Sequence, residues 1–554
     1  MALLGLASCT KDDIANGNNP IHNGEIEESY IAINLSASDV TRAEGDPVFD
    51  DGEAAERAVS HADFFFFDEA GNPFNVTGNP ATTPGGGINH LRATDVTFSK
   101  DSEQTDDDDI SDTSTPVLLL KTYKGQFPSQ IVAVLNWSPD EEKSYSLAEL
   151  HTAVAIQGKF NNNGADKDYF VMSNAVYAQG TTEVCATPLT MENIKTSETD
   201  ALAAPVNIYV ERVAAKVKLN AEERYDLQKS VNYQPLGGGT TIEGGVYAKI
   251  LGWDLYRDNS QSYLLKEIDA AWTTDGVGFN WNEAPWYRSY WAISLTAPAE
   301  DPVYGDSPMT RGAHTYIGEN TTGKNSCTKA VIKAQLVTTV DGVDKPLDIA
   351  IWNNVEYVDE PDAVKGRGYS LRIAVANTLK HTYFAKTGNE YTGLKPEDLQ
   401  CVAGGTVDVP NVKANEVYFQ LSDEGKTKDW YKLVNGEYKP VANDTANDEK
   451  STKATNEALK SVPAAVLYTN GETFYYVDIK HLGASGSAAE YGIVRNHVYN
   501  ITISTIGGYG SPVYTGVSFL EYPQITEQDS YVSAKINILS WRLVNQEVNI
   551  QPNN

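Results

Sequence analysis

Few residues of this chain are arranged to do chemistry, and those few suit covalent processing better than turnover. Cys9 closes the apolar run MALLGLAS, directly after Leu6-Ala7-Ser8. A thiol behind small residues at the end of an apolar stretch is the pattern of a lipid-modified cysteine that becomes the first mature residue. The run is short for a leader and has no basic start, so the chain is expected to be clipped or to begin at an internal Met. Arg42 stands alone among acidic and small residues in DVTRAEGDP. An exposed, extensible loop with a single cation suits a protease that cuts after basic residues, here at the Arg42–Ala43 bond. Arg57, in AAERAVS, is the rival site and lies closer to the next strand.

The remaining reactive types carry no such pattern. Cys185, Cys327 and Cys401 are far apart and lack CxxC spacing, so they read as buried small hydrophobes and not as a disulfide frame or zinc site. The eight histidines are scattered. HExxH, GxSxG and phosphate-loop motifs are missing. No catalytic, cofactor-binding or metal-binding residue is therefore expected, and the chain reads as a non-enzyme. His497 falls in a core-strand pattern and is expected to be a hydrogen-bonded structural histidine. The run Asp106-Asp107-Asp108-Asp109 lacks the spaced ligands and turn glycine of a calcium loop and reads as solvated. LGGGTT, 236–241, has no strand–helix context and reads as a loop.

The elements around these residues are read from composition and period. The chain has 554 residues, 41% of them hydrophobic, which allows real cores and several domains. Tyrosine, valine, threonine and glycine-bearing turns dominate, which favours β structure over helix. A formal net charge of -32 opposes binding to nucleic acid or to an anionic membrane surface.

Residues 30–37 alternate with a period of two: Ile31, Ile33, Leu35 and Ala37 face one way, and Ala32, Asn34 and Ser36 the other. Strongly apolar strands follow in AVSHADFFFF, 117–125 and 130–137. SPDEEKSYSLAELHTAVA reads as a helix begun by Ser138-Pro139-Asp140, with Leu147, Leu150 and Val154 on one face. A boundary is expected near Ala203-Ala204-Pro205. Beyond it, VNIYVERVAAKVKLNAEE reads as one long strand with an internal phase shift. Strands are expected over 245–256, 328–339, 348–352, 369–376, 415–420, 463–468, 473–480 and 493–505. The expected segments are 1–9 (leader remnant), 10–42 (tether and first strand), 43–205 and 206–529 (two β domains), and 530–554 (closing strand region).

The first strand has a counterpart near the other end. With SYIAINLSA laid on SYVSAKINIL (530–539), Ile31 meets Val532, Ile33 meets Ala534, Leu35 meets Ile536 and Ala37 meets Ile538. The apolar phase then flips to Leu539, Trp541 and Leu543, and again to Val544, Val548 and Ile550. A flat strand keeps its phase, so the tail is expected as two short strands or one kinked strand. A cut at Arg42 would detach the first strand and leave an apolar groove with unpaired backbone groups. The similar tail of a neighbouring molecule has the pattern to fill it, the mode of strand addition known from pilins.

Several stretches together resemble a known family. They are LASC at 6–9; SYIAINL followed by TRAEGD; VERVAAKVKL; VRNHVYNITI at 494–503; and SYVSAKINILSWRLVNQEVNI. The chain resembles the fimbrillins of the Bacteroidetes type V pili, and among them the major stalk subunits of short (minor) fimbriae of Porphyromonas. Thr10-Lys11-Asp12-Asp13 is similar to the surface-export tag of Bacteroidetes lipoproteins. The resemblance implies an all-β fold of two transthyretin-like β-sandwich domains with minor helices and a C-terminal donor strand. It implies lipid, as palmitate, on Cys9, removal of the strand bearing Ile31, Ile33, Leu35 and Ala37, and donation by Val532, Ala534, Ile536, Ile538, Leu539, Trp541 and Leu543. The implied partners are identical subunits, anchor and tip subunits, an Arg/Lys-specific protease, and host or bacterial receptors. The implied place is a fimbrium at the cell surface, whose precursor is held in the outer membrane by lipid alone, with roles in adhesion, biofilm formation and virulence.

Two other readings stay open. One is a tip or accessory subunit. The other is a glycan-binding surface lipoprotein, because NWNEAPWYRSYW packs Trp281, Trp286, Tyr287, Tyr290 and Trp291 together and aromatic faces can stack on sugars. Processing at Arg42 predicts that N-terminal sequencing of assembled fibres reads from Ala43. A sequence starting at Cys9 in those fibres rejects the cut.

Overall fold

The structure is a computed structural model. It describes residues 26–37, 49–50, 58–76, 87–94, 113–123, 126–156, 169–233, 242–268, 278–280, 286–289, 292–295, 314–359, 365–404, 416–442, 447–512 and 541–550, with Glu56 and Val96, less 115, 180–181, 367 and 483–484. The architecture is all-β with short helices, as the composition and patterning imply. Two compact units form: Met1–Ala43, Asp51–Val213 and Ser262–Tyr290 make the first, and Glu44–Asp50, Ala214–Gln261 and Trp291–Asn554 the second.

In the first unit, the strands are β1 (Ile26–Ala37), β2 (Ala62–Phe67), β3 (His90–Ala93), β4 (Thr113–Ser114), β5 (Val117–Tyr123), β6 (Gln130–Leu135), β7 (Met172–Asn174) and β8 (Val206–Arg212). They order as β3-β2-β6-β7-β8-β1-β4, and β5 also pairs with β1. The four phenylalanines Phe64 to Phe67 of β2 are all fully buried, so this strand is covered on both faces. Phe65 and Phe67 join Val132, Val134, Leu150 and Val176 in one core.

Helix α1 (Leu147–Thr152) is shorter than its sequence signal. It starts at Ser146 and not at Ser138-Pro139-Asp140. The physical reason is a capping box: the Glu149 amide donates to Ser146 Oγ at 3.1 Å, and the Ser146 amide to Glu149 Oε2 at 2.8 Å. Asp140 instead makes a turn, accepting from the Glu142 amide at 3.0 Å. Val154 opens a short strand, Val154–Ile156, and so leaves the helical face. A second helix, α2 (Glu198–Leu202), precedes β8.

The stretch expected as one long strand is two. β8 ends at Arg212, and β9 (Ala215–Asn220) belongs to the second unit's sheet. The phase shift read in VERVAAKVKL is a change of sheet at Val213-Ala214, both fully buried. The units therefore part there and not near Pro205, and 262–290 returns to the first unit.

The second unit adds β10 (Arg224–Tyr233), β11 (Ile242–Tyr256), β12 (His314–Ile317), β13 (Lys329–Val340), β14 (Glu472–Asp478), β15 (His497–Ile506) and β16 (Trp541–Ile550). One sheet runs Phe49–Asp50, β16, β15, β9, β12, and the other runs β10-β11-β13-β14 to Ser511–Pro512. Val217, Leu219, Tyr499 and Ile501 of the first meet Val246, Ala248, Ile332, Ala334 and Val477 of the second in one core, which makes a β-sandwich. The Tyr225 hydroxyl donates to the Ile503 carbonyl at 2.8 Å, joining the layers.

Residues 369–376 were expected as a strand and form helix α3 (Tyr369–Leu379). Buried Leu371, Arg372, Val375 and Ala376 fall at helical spacing, and not on alternate residues. Gly368 enters with φ 62, and Asp359 accepts the Ser370 amide at 2.9 Å, which satisfies a first-turn donor.

Behind the start of β15, Arg495 and Glu319 are both fully buried and bonded twice, Nε to Oε1 at 2.8 Å and Nη2 to Oε2 at 2.8 Å. Arg495→Met strands the Glu319 carboxylate in the core. It is expected to lower stability by about 3–5 kcal/mol in urea unfolding, whereas Arg495→Met with Glu319→Leu recovers most of the loss.

Candidate functional site: the seats of the leading and closing strands

The leading strand changes partners along its length. Ile26 to Ala32 run antiparallel to β5, with Ile26 opposite Tyr123 and Ala32 opposite Val117. The Ile33 amide donates to the Pro116 carbonyl at 3.0 Å. From there Ile33 to Ala37 run parallel to Val206–Val210 of β8, while Leu35 and Ser36 also pair with Ser114 and Thr113 of β4. Both edges of the 33–37 half thus carry strands.

Burial departs from the simple alternation read in the sequence. Ile31, Ala32 and Ile33 are all fully buried, and Ser29 is buried as well. A strand covered on both faces loses its polar-out side. Helix α2 lies against β1 and β5 and supplies cover that an open sheet would lack. Leu35 and Ala37 stand in register opposite Ile208 and Val210.

The floor of the seat is anchored independently of β1. The Tyr209 carbonyl accepts from the Ala175 amide at 2.8 Å, and β8 pairs with β7 on its far edge. Just past the β1 register, Glu211 meets Lys266 at 2.9 Å with both side chains almost wholly buried. Arg212 Nε donates to the Glu56 carbonyl at 2.8 Å. The Glu211–Lys266 attraction offsets part of the cost of burying both charges beside β8.

The closing strand sits in the second unit. β16 runs parallel to β15, from Arg542 opposite His497 to Ile550 opposite Ile506. Its register shifts between Ile503 and Thr505, which leaves Ser504 as an extra residue on β15. On its other edge, among the described residues, only Phe49–Asp50 pairs with it, at Arg542 and Trp541. Trp541 and Leu543 therefore lie in the second unit's own sheet.

Other sequence-derived sites fare unequally. Cys9, Arg42, Ala43, Arg57, Val532, Ala534, Ile536, Ile538 and Leu539 lie outside the described residues, as do the Asp106–Asp109 run and LGGGTT. Of the aromatic stretch, Trp286 and Tyr287 lie on the strand Trp286–Ser289, between Tyr177–Gln179 and Gly278–Asn280, while Trp281, Tyr290 and Trp291 are outside the description. His497 is buried, and its Nδ1 donates to the Arg495 carbonyl at 2.7 Å, as a structural histidine should. Cys185, Cys327 and Cys401 are buried and form no disulfide, as expected. Sequence reading missed one grouping: His151 lies between Cys185 and Glu267, which are 34 and 116 residues from it. No local motif spans such separations.

The fold and the two strand seats define an all-β protein that builds both its leading and its closing strand into sheets. Residues 466–547 match the family described as major fimbrial subunit protein type IV, fimbrillin, C-terminal. This stretch runs from before β14 into β16 and holds VRNHVYNITI, so the fimbrillin resemblance is met there. No curated protein matches the chain. Among solved structures, the chain is similar to a fimbrial assembly protein from Parabacteroides distasonis, with 11% identity, 61% of this chain and 87% of that one covered, and a TM-score of 0.28. It is also similar to the tip fimbrial protein of Porphyromonas gingivalis with C-terminal truncation, with 13% identity, 57% and 83% covered, and a TM-score of 0.26.

Ile33→Ala empties a fully buried position where β1 changes partner. The expected cost is about 2–5 kcal/mol, with faster amide exchange in Val117–Tyr123 and Val206–Arg212. Exchange there at the wild-type rate contradicts a tight seat.

Proposed function

We propose that this chain is a structural stalk subunit of a fimbrium, most like the major subunit of short fimbriae. It is exported as a surface lipoprotein through Cys9 and cut after its first strand at Arg42–Ala43, with Arg57 as the rival bond. It then polymerises head-to-tail with identical subunits by donor-strand exchange. The fibre stands at the cell surface with anchor and tip subunits and supports adhesion and biofilm formation.

The observation that carries this reading is the position of β1. Its Ser29 and Ile31 to Ile33 are buried, yet it continues into the rest of the chain through 38–48 alone. One cut in that segment frees the strand together with everything before it. Its departure uncovers apolar sites at Ile31 and Ile33, worth about 1.5–3 kcal/mol each, and leaves edges of β5 and β8 unpaired. The buried Glu211–Lys266 pair and the β7 ladder keep the floor of the slot in shape.

An incoming strand regains the burial and adds about 0.5–1.5 kcal/mol net per ladder hydrogen bond, against ordering costs of about 1–2 kcal/mol per residue. Val532, Ala534, Ile536 and Ile538 supply the matching alternate face. Trp541 and Leu543 join the donor once β16 leaves β15, a step favoured by the short pairing on its outer edge. A contact between one molecule's tail and the next molecule's slot does not close, so it extends as a filament.

The test is cleavage of the purified chain by a trypsin-like protease, followed by electrophoresis in detergent after mild heating. A ladder of oligomers is expected, and deletion of 530–554 is expected to abolish it. A ladder that persists without 530–554 rejects the donor role. A chain that stays monomeric after the cut supports a glycan-binding lipoprotein instead, and capping of growing ladders without extension supports a tip or accessory subunit.

A further inference from the structure

The His151 grouping in the first unit is independent of strand exchange. His151 closes the last turn of α1, Cys185 lies between the strands Thr182–Val184 and Thr187–Pro188, and Glu267 comes from the segment that returns to this unit. His151 Nε2 is 2.9 Å from Cys185 Sγ, and Nδ1 is 2.6 Å from Glu267 Oε1. The imidazole therefore has a sulfur on one side and a carboxylate on the other, the order of a nucleophile, its acid–base partner and an orienting group.

Cys401 has the same exposure as Cys185, 8%, and Cys327 has 1%. Burial pushes the thiols of Cys327 and Cys401 up to about 12. Burial also works against a charged His151, but the bonds to Cys185 and Glu267 outweigh it and raise the imidazolium to about 10. A protonated ring at hydrogen-bond distance from the sulfur favours the charged form of its partner and has a proton to give up.

We propose that Cys185 is an oxidation site for small hydroperoxides, with His151 as proton donor and Glu267 as the positioning residue. The thiolate attacks the nearer peroxide oxygen. An S–O bond forms and the O–O bond breaks. The leaving oxygen takes the proton from His151 Nε2. With hydrogen peroxide the products are a Cys185 sulfenic acid, water and neutral His151; the sulfur loses two electrons and the peroxide gains them. Among the described residues of the first unit Cys185 is the only cysteine.

The test treats the full chain with hydrogen peroxide in the presence of dimedone and follows adducts at each cysteine by mass spectrometry. Cys185 is expected to label at least about 100-fold faster than Cys401 or Cys327, the scale of a positioned proton donor. His151→Gln slows Cys185 labelling by about 100-fold and leaves the other two slow. Glu267→Gln moves the alkaline decline of the Cys185 rate to lower pH, a change that loss of packing alone does not produce. Comparable rates at the three cysteines of the wild-type chain, or no Cys185 adduct, overturn the proposal. If His151→Gln unfolds the chain, Cys327 and Cys401 label quickly too, and the wild-type comparison decides alone.

Discussion

The constraint on which the first unit depends is the occupied slot between β8 and its neighbours. Backbone donors and acceptors of a buried strand must all find partners. β1 meets that demand with two different partners in succession, β5 and then β8 with β4. The change at Ile33 ties several strands of the unit through one segment. A segment with this role cannot be trimmed gradually: it is seated, replaced by an equivalent, or missing with its neighbours' edges open to solvent. A short alternating strand is also an easily copied object, because its specificity lies in side-chain parity more than in residue identity.

In each unit a buried charge pair acts as a fastener. Glu211–Lys266 lies directly after the β1 register, and Arg495–Glu319 lies directly before β15, the strand that receives the closing segment. Both pairs are buried. Such pairs contribute little net stability compared with apolar packing, but a slipped register would leave an ion uncompensated. Their placement beside the two strands at the chain's extremes favours one register for each seat.

The second unit holds residues 466–547, the stretch that matches the fimbrillin C-terminal family. Its sheet order places β15 between β16 and β9, with parallel pairing on both sides. Parallel neighbours require long crossovers, and the chain uses the intervening residues for the opposing sheet and for a satellite core around Trp430, Phe419 and Val375. The closing strand thus lies along β15, and its own outer edge is covered, among the described residues, only by Phe49–Asp50.

Much of this was legible in the residues. The β class, the presence of a strand over 30–37, the burial of Cys185, Cys327 and Cys401 and the structural role of His497 follow from side-chain type and spacing, which are local properties. What eluded the sequence is non-local. The phase shift at Val213-Ala214 marked an irregularity but not that the chain changes sheets. RIAVA has the branched residues of a strand, and only Asp359 and Gly368 beside it made a helix the cheaper conformer. Ala32 is fully buried, opposite Val117 of β5 in a strand that α2 also contacts, although its own strand pattern assigns it to solvent. The meeting of His151, Cys185 and Glu267 required three distant segments to converge, and a linear pattern carries no record of convergence.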